Sequence, residues 1–110
     1  MTAKDRPYVL VGNLADLTSP IERGIHSQTI NDGDVRVILF AFASGEELSE
    51  HTAARSAIIH VLSGRAELTV AGDPIEAGPG TWLQMAARTT HSVRATTPLV
   101  MLLYLLPAPE

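Results

Sequence analysis

Histidines are the residues of this chain whose type and spacing point most directly to chemistry. The sequence has four of them, His26, His51, His60 and His91, and it has no cysteine. Neutral imidazole binds zinc, nickel and iron, and it also serves as a general base. His51 stands directly before an apolar run that ends at Gly64, and a histidine ahead of a buried strand is a common metal ligand. The sequence therefore predicts histidine chemistry, whereas disulfides and thiolate metal sites are excluded.

The elements that must position these histidines are short strands. Runs rich in Val, Ile, Leu, Thr and Phe alternate with Gly, Pro, Asp and Asn, and no long helical period is present, which favours an all-β sandwich or barrel. Strands are predicted over residues 23–30, 35–43, 57–62, 65–70, 81–85, 91–95 and 99–106. Residues 46–51 are assigned only as the approach to the strand at 57, and residues 71–74 and 78–80 as turns. We expect residues 1–22, including Tyr8 to Val11, to add an edge strand because they are too few for a core of their own.

Composition and charge exclude several classes of function. A chain of 110 residues with 45% apolar residues is one globular domain. The formal net charge of −4 and the scattered basic residues give no footprint for nucleic acid. The most apolar run, residues 99–106, is far shorter than the roughly 20 residues of a membrane-spanning helix, and the N-terminal sequence is unlike a secretory signal. We therefore expect a cytoplasmic protein with no membrane or nucleic-acid partner.

Two spaced motifs resemble those of the cupins. Gly45 is followed after five residues by His51, and Gly64 stands thirteen residues beyond that histidine, as in the first cupin motif. Gly80 and His91 have the spacing of the second motif, and fifteen residues separate Gly64 from Gly80, a typical gap between the two motifs. The resemblance implies a single cupin domain over residues 1–110, with the motifs at 45–64 and 80–95. It also implies a double-stranded β-helix, or jelly roll, with a cavity between two sheets.

The departures from the cupin pattern bear on the metal site. The second histidine of the first motif falls on Ala53, and the motif's glutamate falls on Ala57. In the second motif, the proline and glycine are replaced by Ala86 and Arg88. The resemblance thus implies a reduced site, in which His51 and His91 remain of the four usual ligands. One divalent transition metal (Zn, Ni, Fe or Mn) is one interpretation, and a pair of cavity histidines with no ion is equally open.

His60 is a further candidate ligand, with strand parity against it. If Ala57 faces inward in place of a glutamate, then Ile59 also faces inward and His60 faces outward, unless a bulge reverses the order. His26 lies on an early strand of open register and has a similar claim. Residues expected to line the ligand cavity are His51, His91, Trp82, Phe40 and Met101.

Three functions fit these observations. The first is a metal-dependent cupin that binds and acts on a small molecule, and the second is a metal-free barrel that binds a small molecule. The third is a structural dimer module. We expect a homodimer because the strands at 35–43 and 99–106 are apolar on both faces. Arg55, near the expected mouth, is interpreted as a solvated surface residue, with a contact to an anionic substrate as the alternative.

Overall fold

The computed structural model describes residues 7–19 and 21–108, which form nine strands and one short 3-10 helix, Leu14–Leu17. The strands are β1 (Ile25–Asp32), β2 (Arg36–Phe42), β3 (Glu47–His51), β4 (Ala57–Ser63), β5 (Ala66–Val70), β6 (Asp73–Ala77), β7 (Trp82–Met85), β8 (His91–Ala95) and β9 (Leu99–Leu105). The all-β class predicted from the sequence is confirmed. Within the two described ranges, no helix has the length and apolar character needed to cross a bilayer.

The strands form two antiparallel sheets packed face to face. One sheet has the order β1-β2-β9-β4-β7 and the other has the order β3-β8-β5-β6. From β2 onward the chain passes repeatedly from one sheet to the other, so hydrogen-bonded neighbours are distant in sequence. This topology is the jelly roll, or double-stranded β-helix, that the resemblance to the cupins implies.

The two ends of the sandwich carry different connections. The connections 43–46, 64–65, 78–81 and 96–98 lie at one end, here called the glycine end because these connections contain four glycines. The connections 33–35, 52–56, 71–72 and 86–90 lie at the other, here called the histidine end because β3 finishes there with His51 and β8 begins there with His91. Because β2 begins and β9 ends at the histidine end, the first residue of β2 and the last residue of β9 both lie at this end.

The core fills the space between the sheets with alternate residues of nearly every strand. In β4, Ala57, Ile59 and Val61 are buried and point inward, as the period of two requires. The largest buried side chains of this core are Phe42, Ile59, Leu68, Leu99, Met101, Val61 and Val93. The apolar faces recognised in the sequence thus form one continuous core.

Gly64 shows why the glycine end needs a residue without a side chain. Its backbone has φ +84°, and a Cβ there would lie 1.9 Å from the carbonyl oxygen of Pro98. Only glycine permits this close approach of the β4–β5 and β8–β9 connections at a positive φ. The motif glycine therefore fixes where two strands turn.

The predicted N-terminal edge strand is wrong for the residues that the structure describes. Tyr8 to Val11 form no strand and are largely exposed, and the 3-10 helix follows them. Leu17 and Ile21 instead line a cavity of about 250 Å³ together with Leu39 on the outer face of β2. The segment follows that outer surface because the inner face of the sheet is already filled; residues 1–6 of the predicted strand lie outside the described ranges.

The sequence analysis missed two strands, β3 and β6. Four of the five β3 residues are exposed, so their polar composition hid the strand. β6 contains Pro74, which is tolerated because β6 is the edge strand of its sheet. The turn predicted at 71–74 is shorter, with Ala71 (φ 51°) and Gly72 (φ 84°) joining β5 to β6 as a tight hairpin.

Candidate functional site

A β-bulge in β3 aims His51 into the histidine end. Leu48 pairs with Val93 and His51 pairs with His91, so two β3 residues lie opposite a single β8 residue. Without this extra residue, the period of two would turn Glu50 inward and His51 outward. The bulge therefore decides that an imidazole, and not a carboxylate, joins His91 on the inner face.

The two imidazole rings are direct neighbours. Their centroids are 4.2 Å apart and their planes are tilted by 59°. His91 is 5% exposed and is the single buried polar side chain among the described residues, whereas His51 is exposed. The pair thus has one ring in the protein and one ring in contact with solvent.

Backbone carbonyl groups fix the tautomer of both rings. The Nδ1 atom of His51 lies 2.8 Å from the carbonyl oxygen of Ser49, and that of His91 lies 3.0 Å from the carbonyl oxygen of Thr89. A carbonyl oxygen only accepts hydrogen bonds, so each Nδ1 carries the proton and donates it. In the neutral ring, each Nε2 then keeps its lone pair, which is the form of histidine that binds a metal ion.

The inner residues around the pair are mainly apolar. In the four-stranded sheet, Val70 pairs with His91. In the opposite sheet, the row at the same end is formed by paired residues of β2, β9, β4 and β7: Arg36, Leu105, Ala57 and Met85. The inner face of the histidine end therefore combines two imidazole Nε2 atoms with an apolar wall and the guanidinium group of Arg36.

No side chain elsewhere in the described part of the chain takes the place of the two cupin ligands that fall on Ala53 and Ala57. Ala57, which stands where the cupin glutamate is implied, is buried on the inner face of β4. The carbonyl oxygen of Ala53 accepts a hydrogen bond from the backbone N–H of Arg88, so this connection is tied to the one before β8. Among the described residues, no group of three His, Cys, Asp or Glu side chains could hold a metal ion.

His60 and Trp82 do not join the site. In β4, buried and half-buried residues alternate without a break from Ala57 to Val61, and the register shift between β4 and β9 comes only after Val61. His60 therefore points to the outer face. Trp82 pairs with His60 on that same face and is 57% exposed. As a correction, His60 is not a third ligand of the pair and Trp82 does not line the cavity.

The other candidates have different surroundings. Phe40 and Met101 are paired on the inner face, with Met101 in the centre of the core at 1% exposure, so they support the barrel from inside. His26 is exposed and pairs with Ala41 on the outer face. Neither histidine outside the pair, His26 or His60, is brought to the histidine end's inner face.

Arg55 has a role that the sequence analysis did not find. Its guanidinium donates hydrogen bonds to the backbone carbonyl oxygens of Leu106, Asp34 and Leu105. These bonds join the 52–56 connection to the β1–β2 turn and to the end of β9. Arg55 therefore acts as a brace, a side chain that links three segments through hydrogen bonds. Both interpretations from the sequence, a solvated surface residue and a substrate contact, are replaced by this role. No sequence pattern indicates hydrogen bonds to backbone groups so far away along the chain.

The fold and the paired histidines together define a small β-barrel of the cupin type. The family model described as a cupin domain matches residues 38–105, and the chain belongs to this family. No curated protein matches the chain.

Solved structures agree with the assignment to the family. A cupin superfamily protein from Desulfitobacterium hafniense is 27% identical with a TM-score of 0.80, covering 96% of this chain and 94% of its own. A cupin 2 conserved barrel domain protein from Leptotrichia buccalis is 29% identical with a TM-score of 0.78, covering 86% of this chain and 46% of its own. An RmlC-like cupin from Shewanella frigidimarina shares the fold at 18% identity, with a TM-score of 0.77 and coverage of 96% and 95%.

Proposed function

We propose that this protein binds a small molecule at the histidine end of its barrel, through one divalent transition metal held by His51 and His91. The observation that carries the proposal is the pair of imidazoles with both Nδ1 protons donated to backbone carbonyls. That arrangement leaves two Nε2 lone pairs on adjacent rings, which suits zinc, nickel, iron or manganese.

The donor set fits a weakly held ion. Open catalytic metal sites usually have about three protein ligands, and this pair supplies two neutral ones. No carboxylate among the described residues offsets the charge of the ion at this position. Water or donor atoms of the bound molecule would complete the coordination, and the metal would supply Lewis-acid polarisation of that molecule. The residues of the chain itself orient the rings and present an apolar wall to the ligand.

A metal-free binding barrel is the second candidate, and the same donor set favours it. Two histidines without a third ligand also serve as hydrogen-bonding groups, with Nε2 accepting from the ligand and the apolar wall of Val70, Leu105 and Met85 packing against it. In that case the pair would recognise a donor group of the ligand directly. A cytoplasmic location also remains a prediction.

The homodimer expected from the sequence remains part of the proposal. The outer face of the five-stranded sheet presents the half-buried Ile58, His60 and Leu62 of β4 next to the exposed Trp82. A second copy of the chain would cover this apolar face. Sedimentation at micromolar concentration should give twice the monomer mass, and Trp82→Glu should reduce it to the monomer mass.

Calorimetric titration of tag-free protein with Zn²⁺ and Ni²⁺ tests the metal. We expect one site per chain of micromolar affinity in the wild type, and its loss in His51→Ala and in His91→Ala. His60→Ala and His26→Ala are matched controls that should bind as the wild type does. Binding that persists in both variants of the pair would contradict the assignment, and no binding in the wild type would favour the metal-free barrel.

A further inference from the structure

Arg36 places a cationic group on the inner face of the histidine end. It is the first residue of β2 and pairs with Leu105, whose side chain packs against the core, so the two side chains share the inner face. His51 and His91 point inward at the same end from the opposite sheet. No motif of the sequence identified this arginine, because its position follows from the register of β2 with β9.

The guanidinium of Arg36 has an unused donor. Its Nε atom is shielded from solvent and has no hydrogen-bond partner among the described residues. Asp32 Oδ1 lies 3.9 Å away, which is too far for a hydrogen bond, and the two side chains are 42% and 74% exposed. A buried donor without a partner is unfavourable, and because the side chain as a whole is 42% exposed, a rotation of the guanidinium opens its Nε–Nη edge to an acceptor that arrives with a ligand.

From this geometry we infer that the molecule bound at the histidine end is a small carboxylate, whose carboxylate group pairs with the Nε–Nη edge of Arg36. The inference rests on the proposed function and deepens it by naming the ligand class. Arginine presents two parallel N–H groups along this edge, which match the two oxygens of a carboxylate. The remainder of the molecule then lies against the apolar wall and reaches the histidine pair.

Charge favours a carboxylate over a phosphate. The chain has a formal net charge of −4, and the carboxylate of Asp32 lies beside the guanidinium. A doubly charged phosphate would meet more repulsion there than a singly charged carboxylate. Replacing Asp32 by asparagine removes that repulsion and frees the guanidinium further.

The test follows the Nε–Hε signal of Arg36 by NMR in isotope-labelled protein without added metal. Acetate and pyruvate, which each carry one negative charge, are titrated, with acetamide as the neutral probe and inorganic phosphate as the competing anion. We expect a saturable shift of this signal with the carboxylates, none with acetamide, and weaker binding of phosphate. Asp32→Asn should bind the carboxylates several-fold more tightly.

Arg36→Gln should weaken carboxylate binding at least about tenfold, and Arg36→Lys should recover only part of it because lysine lacks the planar edge. Arg94→Gln is the matched control: Arg94 is also a strand arginine, paired with Glu67 at 3.1 Å, and its loss should change nothing. Unfolding curves of each variant verify that the fold is retained.

The outcomes separate the two proposals. The shift of the Arg36 Nε–Hε signal on carboxylate addition should persist in the doubly substituted His51→Ala, His91→Ala protein. It therefore supports the carboxylate site even if the wild type binds no metal. Absence of a saturable shift, tighter binding of phosphate than of carboxylates, or equal carboxylate binding by Arg36→Gln would each overturn the inference, and metal binding to the pair could still stand.

Discussion

The glycine end and the histidine end of the barrel differ in the polarity and the solvent exposure of their side chains. At the glycine end, inward residues such as Phe42, Leu99 and Ala95 are about 1% exposed. The connections there are tied by backbone hydrogen bonds, including one of 2.8 Å from Gly45 N–H to the carbonyl oxygen of Ala95. At the histidine end, His51 is exposed and Arg36 is partly so. The inner residues Ala57 and Met85 are buried at the histidine end too, so the two ends differ in the polar side chains that reach solvent there and not in whether a core is present.

The largest loss of stability is expected for a substitution at the glycine end. Gly64→Ala should destabilise the protein by about 3 kcal/mol or more, because a Cβ meets the Pro98 carbonyl oxygen and the positive φ becomes strained. Chemical denaturation measures the loss. Gly45→Ala is the matched control, since its φ is also +84° but no atom lies within 4 Å of the added Cβ, and about 1 kcal/mol is expected. Equal losses in the two variants would show that close packing at Gly64 contributes nothing.

The second prediction adds a ligand to the histidine end. Ala57→Glu should destabilise the metal-free protein by about 2 kcal/mol, because it buries a carboxylate on the inner face of β4. Zn²⁺ should restore this stability, and zinc affinity should rise at least about tenfold as an anionic ligand joins the pair. Calorimetry and thermal unfolding with and without zinc measure both effects. Ala57→Gln is the uncharged control, and a similar gain in that variant would contradict a role for the carboxylate charge.

The third prediction concerns Arg55, the brace at the histidine end, whose replacement should change stability alone and not metal binding. Arg55→Ala should cost about 2 kcal/mol, because three backbone carbonyl groups lose a charged donor. Arg94→Ala, which removes an exposed ion pair, should cost less than about 0.5 kcal/mol. Urea denaturation of both variants supplies the comparison. If Arg55→Ala left stability unchanged and weakened only ligand binding, Arg55 would be a ligand residue and not a brace.

The sequence predicted the parts of this fold that depend on composition and spacing. Strands with apolar faces, such as the one containing Ile59, were found because alternation or continuous apolar character marks them. The motif glycines and His51 and His91 were found from their spacing. β3 and β6 were missed because exposed edge strands have little apolar signal.

The parts of the site that the sequence did not predict depend on register. The bulge between Leu48 and His51 leaves no sequence mark, although it decides which side chain of β3 points inward. Arg36 lies on the inner face of the histidine end because it pairs with Leu105 of β9, a residue more than sixty positions later in the chain. Trp82 is expected from the sequence to line the cavity, but the alternation of β7 turns it outward. Such pairings are set by the tertiary fold and not by local pattern.

The tautomer of the two histidines tests the proposed metal site most directly, and it is measured by long-range nitrogen–proton NMR on the labelled protein before and after addition of Zn²⁺. We expect His51 and His91 both to be protonated at Nδ1 in the metal-free neutral state, and zinc to shift the Nε2 signal of both rings together. His26 and His60 should not respond. Protonation at Nε2 in the metal-free protein, or a zinc response confined to His26 or His60, would contradict the central claim.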